Sequence, residues 1–128
     1  AQVDPAGIVE RLRESLGARA VVADDPGYDD ARAVWNGMID ARPAVVVRAV
    51  TTSEMQDVVR AAESVLPLAV RNGGHNVAGF GTIDEGIVLD LSGLRDVEVD
   101  AGERLAVVGG GATLERFVHP VTPCAYAQ

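Results

Sequence analysis

The chain has 128 residues, 48% of them hydrophobic and 23% charged, with a formal net charge of −8. That is one domain's worth of chain, long enough to bury a core, and its acidity argues against nucleic acid, whose phosphates are met by clustered Lys and Arg. There is no Lys, and all eleven cations are Arg. This excludes a Schiff-base lysine and a Walker-type phosphate loop, both of which need the amine.

From the start, Asp4-Pro5 reads as a helix opening, with Ile8, Val9, Leu12 and Leu16 on one face and Gly17 as the stop. Residues 20–23 read as a short strand and 29–35 as a short helix ended by Asn36-Gly37. Pro43 introduces the β-branched run 44–50, a buried strand. Ser53 is the expected N-cap of a helix over 54–65, with Gln56 completing a capping box. Met55, Val58, Val59, Ala62 and Leu66 form its core-facing stripe. After Pro67, residues 68–70 make a second strand. Strand, helix and strand in so short a stretch define a βαβ unit and a parallel sheet.

Residues 72–86 carry Gly73, Gly74, Gly79, Gly81 and Gly86 and read as a loop. Strands are expected at 87–91, 97–99 and 105–108, with a tight turn at 100–103. Thr113 caps a last helix over 114–118, which Pro120 and Pro123 end. The fold class expected is therefore α+β, a βαβ layer followed by a mainly antiparallel sheet.

The lone Cys124 cannot form an internal disulfide. No apolar run reaches the length of a membrane helix and no signal peptide opens the chain, so a cytoplasmic location is the default expectation.

The chemistry gathers in the glycine-rich loop. Such a loop directly after a buried strand can present free backbone N–H groups, and paired glycines let the backbone approach a phosphate closely. Arg71 can add a charge-assisted bond and Asn76 a neutral donor. From spacing alone this is either an anion or nucleotide cradle or a plain turn, since Gly-Gly punctuates loops generally. The stretch 79–84 fails the dinucleotide fingerprint at its last glycine, and no helix pattern follows it. A metal site from His75, Asp84 and Asp90 lacks ligand spacing. Trp35 and Phe80 read as core or loop-packing residues, and His119 as a solvent-facing residue at a helix end. No catalytic residue is assigned.

Four pieces in order carry a family resemblance. These are Trp35-Asn36-Gly37-Met38-Ile39-Asp40 leading into Arg42-Pro43, Thr51-Thr52-Ser53-Glu54, the segment 67–79 containing Arg71-Asn72-Gly73-Gly74-His75-Asn76, and Val88-Leu89-Asp90-Leu91-Ser92 with 107–112. Over about residues 28–112 the chain resembles the FAD-binding domain of the vanillyl-alcohol oxidase superfamily, in its berberine-bridge-enzyme-like branch. The resemblance implies the first part of a two-subdomain FAD-binding domain. It also implies a role for His75, the residue that in such enzymes is bonded to the flavin's 8α-methyl.

By the same resemblance Arg71, Asn72, Gly73, Gly74, His75 and Asn76 hold the pyrophosphate, and Gly79 and Gly111 are counted with the cofactor-binding residues. Asn72 stands where Gly or Ser is usual. The surroundings of Cys124 do not match the second, cysteinyl flavin attachment of many relatives, so a passive thiol is expected. The resemblance further implies an oxidase that takes hydride from a small organic substrate and passes electrons to dioxygen. Its substrate domain falls outside residues 1–128, so the isolated chain is expected to be inactive. A completing chain or oligomer is the expected partner, with neither nucleic acid nor membrane. The alternative is a non-catalytic flavin- or nucleotide-binding module, or an interaction domain.

Overall fold

The computed structural model describes residues 4–63 and 65–126, with side chains as far as residue 123. The expectation for the Cys124 thiol therefore lies outside the described residues. The elements are α1 (Pro5–Leu16), β1 (Ala20–Val21), α2 (Tyr28–Arg32), β2 (Val45–Arg48), α3 (Thr52–Ala62), β3 (Leu68–Arg71), β4 (Ile87–Asp90), β5 (Val97–Asp100), β6 (Leu105–Val108) and α4 (Leu114–Tyr126). A single 3-10 turn, Gly17–Arg19, joins α1 to β1.

The Asp4 carboxylate starts α1 by accepting from the Gly7 N–H at 2.6 Å. The helix ends at Gly17, as its sequence indicates. Ile8 and Leu12 are buried, with Val9 and Leu16 packed against the core at its edge. The helix expected at 29–35 occupies only Tyr28–Arg32. Its anchor is Tyr28, 3% exposed, whose hydroxyl donates to the Pro43 carbonyl at 2.7 Å. Burial raises the Tyr28 pKa, opposed by the nearby Arg42 and Arg32 guanidinium groups.

In α3 the cap differs from expectation. Thr51, in extended conformation, accepts the Glu54 N–H on its hydroxyl at 3.1 Å, so the capping residue is Thr51 and not Ser53. Thr51-x-x-Glu54 meets the same Ser/Thr-x-x-Glu pattern two residues earlier. Glu54 turns toward Arg19, however, binding both guanidinium nitrogens. The helix also stops at Ala62, three residues short of the expected end. Val58, Ala62 and Leu66 are buried as expected, while Val59 stays 48% exposed.

The main sheet has the order β1-β2-β4-β3. β1 is antiparallel to β2, and β2, β4 and β3 are mutually parallel. The βαβ unit thus exists, but β4 lies between its two strands. The apolar pattern explains the insertion. Ile87, Val88 and Leu89 are 0–2% exposed and need cover on both faces, whereas Val70 of β3 is 51% exposed and suits an edge. Val45, Val47, Ile87 and Leu89 form the core with Ile8, Leu12, Val58, Ala62 and Leu66, under α1 and α3. Each of these large apolar side chains adds roughly 1.5–3 kcal/mol when fully buried. The alternate residues Val46, Val88 and Ala69 are also buried, on the opposite face.

The antiparallel sheet consists of β5 and β6 only, with Val97 opposite Val108 and Asp100 opposite Leu105. Thr113 accepts the Arg116 N–H at 3.3 Å, as a cap should. The helix then continues through Pro120 and Pro123 to Tyr126, where the sequence reading had it ending. Proline's fixed φ is already helical; what it removes is its own N–H bond and some room for the preceding turn. The Thr122 hydroxyl donates to the Val118 carbonyl at 2.7 Å within this stretch. Among the described residues, no helix is long and apolar enough to cross a membrane.

Candidate functional site

The carboxyl ends of β2, β4 and β3 meet in one rung, with Arg48, Asp90 and Arg71 side by side in register. From Arg71 the chain enters the 72–86 loop, which returns to the opposite end of the sheet to begin β4. Parallel neighbours require such a long connection; here it is a loop instead of a helix.

The loop is held from outside by the segment after α2. The Trp35 N–H donates to the Gly74 carbonyl at 2.9 Å. The Asn36 side-chain amide donates to the Val77 carbonyl at 2.9 Å, while its oxygen accepts from the Met38 N–H. Within the loop, the Asn76 side-chain oxygen accepts from the Phe80 N–H at 3.2 Å, and its carbonyl accepts from the Gly79 N–H at 3.1 Å. Gly74 and Gly79 have φ of +69° and +81°, the left-handed region where a side chain is strained. Gly79 also lies against Ile39, whose side chain a Cβ would approach to 3.0 Å.

These contacts use the loop's carbonyls and leave its first donors free. The backbone N–H groups of Gly73, Gly74, His75 and Asn76 make no hydrogen bond among the described residues. They border an open cavity of about 280 Å³ lined by Val70, the stretch 71–76, Phe80 and Gly81. A Cβ on Gly73 would sit 2.7 Å from the His75 ring, so a side chain there would displace the imidazole from its present place. The His75 imidazole is exposed and lies parallel to the Trp35 indole, with centroids 6.3 Å apart and an interplanar angle of 16°.

Arg71 is placed beneath the loop. It is 7% exposed, and its guanidinium donates to the Asp90 carboxylate at 3.0 Å and to the Ala33 carbonyl at 3.3 Å. Asp90, 6% exposed, also accepts the Ser92 N–H at 2.9 Å.

The structure therefore brings the expected residues 71–76 together around one cavity. Gly79 and Gly111 lie outside its lining, and the close packing of each explains the glycine. Trp35 and Phe80 are not core residues; they are 66% and 77% exposed and flank the loop. Asn36, Ile39 and Asp90 belong to the pieces that carry the family resemblance, but sequence reasoning assigned them no part in the site. Asn36 and Ile39 brace the loop, and Asp90 pairs with Arg71 in the same rung. Among the described residues no group of three His, Cys, Asp or Glu side chains can hold a metal ion.

A parallel-sheet loop with free N–H groups beside an exposed histidine can serve as an anion cradle, and similarity to known proteins says of which class. The family model for the FAD binding domain matches residues 43–125, and the chain belongs to that family. It is 35% identical over 98 residues to the (R)-6-hydroxynicotine oxidase of Paenarthrobacter nicotinovorans, covering 76% of this chain and 21% of that protein. The crystal structure of 6-hydroxy-D-nicotine oxidase from Arthrobacter nicotinovorans superposes with a TM-score of 0.79 at 31% identity, covering 85% of this chain and 24% of that one. A Physcomitrella patens berberine-bridge-enzyme-like protein shares the fold, with a TM-score of 0.79 at 24% identity over 90% of this chain and 26% of its own. The relatives are thus FAD-linked oxidases that include berberine-bridge-enzyme-like proteins, and FAD is the cofactor of the family. The chain spans about a quarter of their length or less.

Proposed function

We propose that this chain forms the flavin-contacting part of an FAD-linked oxidase, with the pyrophosphate at residues 72–76 and the isoalloxazine beside His75. The observation that carries this reading is the stretch 72–76, whose backbone N–H groups make no hydrogen bond among the described residues and whose residues line a cavity at the carboxyl end of β3. Free N–H groups in a glycine-rich loop favour an anion, and the glycines keep side chains out of its way. An FAD pyrophosphate fits this donor set.

Bound there, FAD would supply hydride acceptance from a small organic substrate and electron transfer to dioxygen. The chain's own residues bind and orient. The backbone of residues 73–76 holds the phosphates, Arg71 supports the loop from below, and Asn72 and Asn76 offer amide donors at its rim. Gly79 and Gly111 act by letting the backbone close up around the site. The exposed His75 imidazole would make the bond or close contact to the flavin's 8α-methyl. Substrate recognition and proton transfer are assigned to the parts that the longer relatives have in addition. Leu105, Val107, Leu114 and Val118, all 45–75% exposed, are apolar side chains that such a part, or a completing chain, would cover.

The test is a visible absorption spectrum of the purified chain, taken again on the acid-denatured pellet. The flavin band is expected to stay with the pellet and to be lost from it in His75→Ala. A band that leaves with the supernatant rejects the covalent bond, and a colourless chain that takes up no added FAD rejects flavin binding altogether.

A further inference from the structure

We infer that Arg71 and Asp90 are a positioning pair, in which Asp90 fixes the Arg71 side chain beneath Gly74 and Gly81, so that the pair shapes the loop and the backbone N–H groups alone grip the anion. This rests on the flavin reading above and divides the work within that site.

The packing places Arg71 as a pillar. A Cβ on Gly74 would lie 3.4 Å from Arg71 Cδ, and one on Gly81 would lie 3.5 Å from Arg71 Cγ and 3.8 Å from Gly74 Cα. The aliphatic stem therefore lies beside both Gly74 and Gly81, one on each limb of the loop. At its far end the guanidinium is held at 3.0 Å by Asp90 and at 3.3 Å by the Ala33 carbonyl, which ties the loop to the chain after α2. The Arg71 carbonyl also accepts from the Leu91 N–H at 2.8 Å, so the residue is fixed by backbone as well as side chain.

The charge balance points the same way. Asp90 and Arg71 are neighbours in register on adjacent strands, and both are more than nine-tenths buried. Turning Arg71 toward a phosphate would break this pair and leave the Asp90 carboxylate buried, with only the Ser92 N–H and Arg48, 3.9 Å away, beside it. An unpaired buried charge is strongly unfavourable. An arginine fork held between a carboxylate and a carbonyl is also a part that Lys cannot copy, because the ammonium is a single point charge.

Three variants test the pair by amide hydrogen exchange at Trp35, Gly79, Phe80 and Thr82, whose N–H groups are bonded to or within the loop, and by titration with FAD at several ionic strengths. In Arg71→Met and in Arg71→Lys, exchange at these four amides should speed up while α1 and α3 keep their protection. FAD should bind both more weakly by about tenfold, the scale on which groups that orient a ligand-holding residue act. The ionic-strength dependence should match that of the unsubstituted chain. Asp90→Asn, which keeps the volume, should loosen the same segment, and it decides the matter if Arg71→Met does not fold. Unchanged exchange at Trp35, Gly79, Phe80 and Thr82 across the variants overturns the inference. So does Arg71→Lys binding like the original while Arg71→Met loses ionic-strength dependence, since that is how a phosphate ligand behaves. If the unsubstituted chain takes up no FAD, the flavin reading fails, and the exchange measurements still decide the pair.

Discussion

Trp35 and His75 lie on opposite sides of one hydrogen bond. The Trp35 N–H donates to the Gly74 carbonyl, and the two rings then stand nearly parallel, 6.3 Å apart and 16° from coplanar. Because Trp35 is the chain's single tryptophan, it reports on whatever occupies the space beside His75. Flavins absorb where tryptophan emits, so FAD bound at this loop should quench most of the Trp35 fluorescence. The measurement is emission during titration with FAD, with gel filtration to confirm retention. Retained FAD with undiminished emission would place the isoalloxazine far from His75.

The cap of α3 separates two sites that look equivalent in sequence. Thr51 accepts the Glu54 N–H at 3.1 Å, whereas Ser53 lies inside the helix and is exposed. Thr51→Ala should therefore cost about 1 kcal/mol, the usual loss on removing an N-cap hydroxyl. Ser53→Ala should leave stability within about 0.5 kcal/mol. Urea midpoints for the two variants check this, and equal losses would restore Ser53 as the cap.

Much of the fold was legible, and the failures have physical causes. The period of α1 and its stop at Gly17 were visible because capping and apolar spacing agree there. The strands at 45–48, 68–71 and 87–90 were visible as β-branched and aliphatic runs. Their order was hidden, because nothing local tells β4 that it will lie between β2 and β3; only its burial on both faces makes it central. The candidate loop was legible as a glycine cluster, and His75 through the family resemblance. Of its supports, Trp35 reads as a core or loop-packing residue. Which loop it and its neighbours Asn36 and Ile39 brace was hidden, since they reach it from some 40 residues away in the chain, and Asp90 meets Arg71 through strand register.

Glu54 gives a pH dependence whose sign is fixed by its partner. The Arg19 side chain, hydrogen-bonded to the carboxylate, holds its pKa below the ordinary glutamate range, with a smaller lowering from the Val50 N–H and an opposing push from burial. The folded chain thus keeps Glu54 ionised where the unfolded chain has begun to protonate it. The resulting stability is fully present above the ordinary glutamate value of about 4.3. It is lost as pH falls through the lower folded value. Glu54→Gln should melt below the original chain at neutral pH, with the gap narrowing on acidification. Melting curves at several pH values measure it, and a gap that widened toward acid would show the assigned sign to be wrong.

Gly111 offers the clearest steric test. It is buried, and a Cβ built on it would lie 1.6 Å from the Leu91 carbonyl oxygen and 2.9 Å from Ser92 Cα. Those atoms belong to the backbone directly after β4, one and two residues from Asp90, so they cannot rotate aside as a side chain would. Gly111→Ala must therefore push the 109–111 stretch away from the end of β4. It would also strain the hydrogen bond from the Gly111 N–H to the Leu94 carbonyl, 2.9 Å in this structure. Overpacking of this kind costs about 1–3 kcal/mol, and more where backbone must move. Gly37 is the control, because a Cβ there meets nothing within 4 Å. Gly37→Ala should leave the urea midpoint nearly unchanged while Gly111→Ala lowers it clearly. If Gly111→Ala were as stable as Gly37→Ala, the close approach of 109–111 to Leu91 would not hold in solution. The seam between the parallel sheet and the β5–β6 hairpin would then be looser than this packing requires.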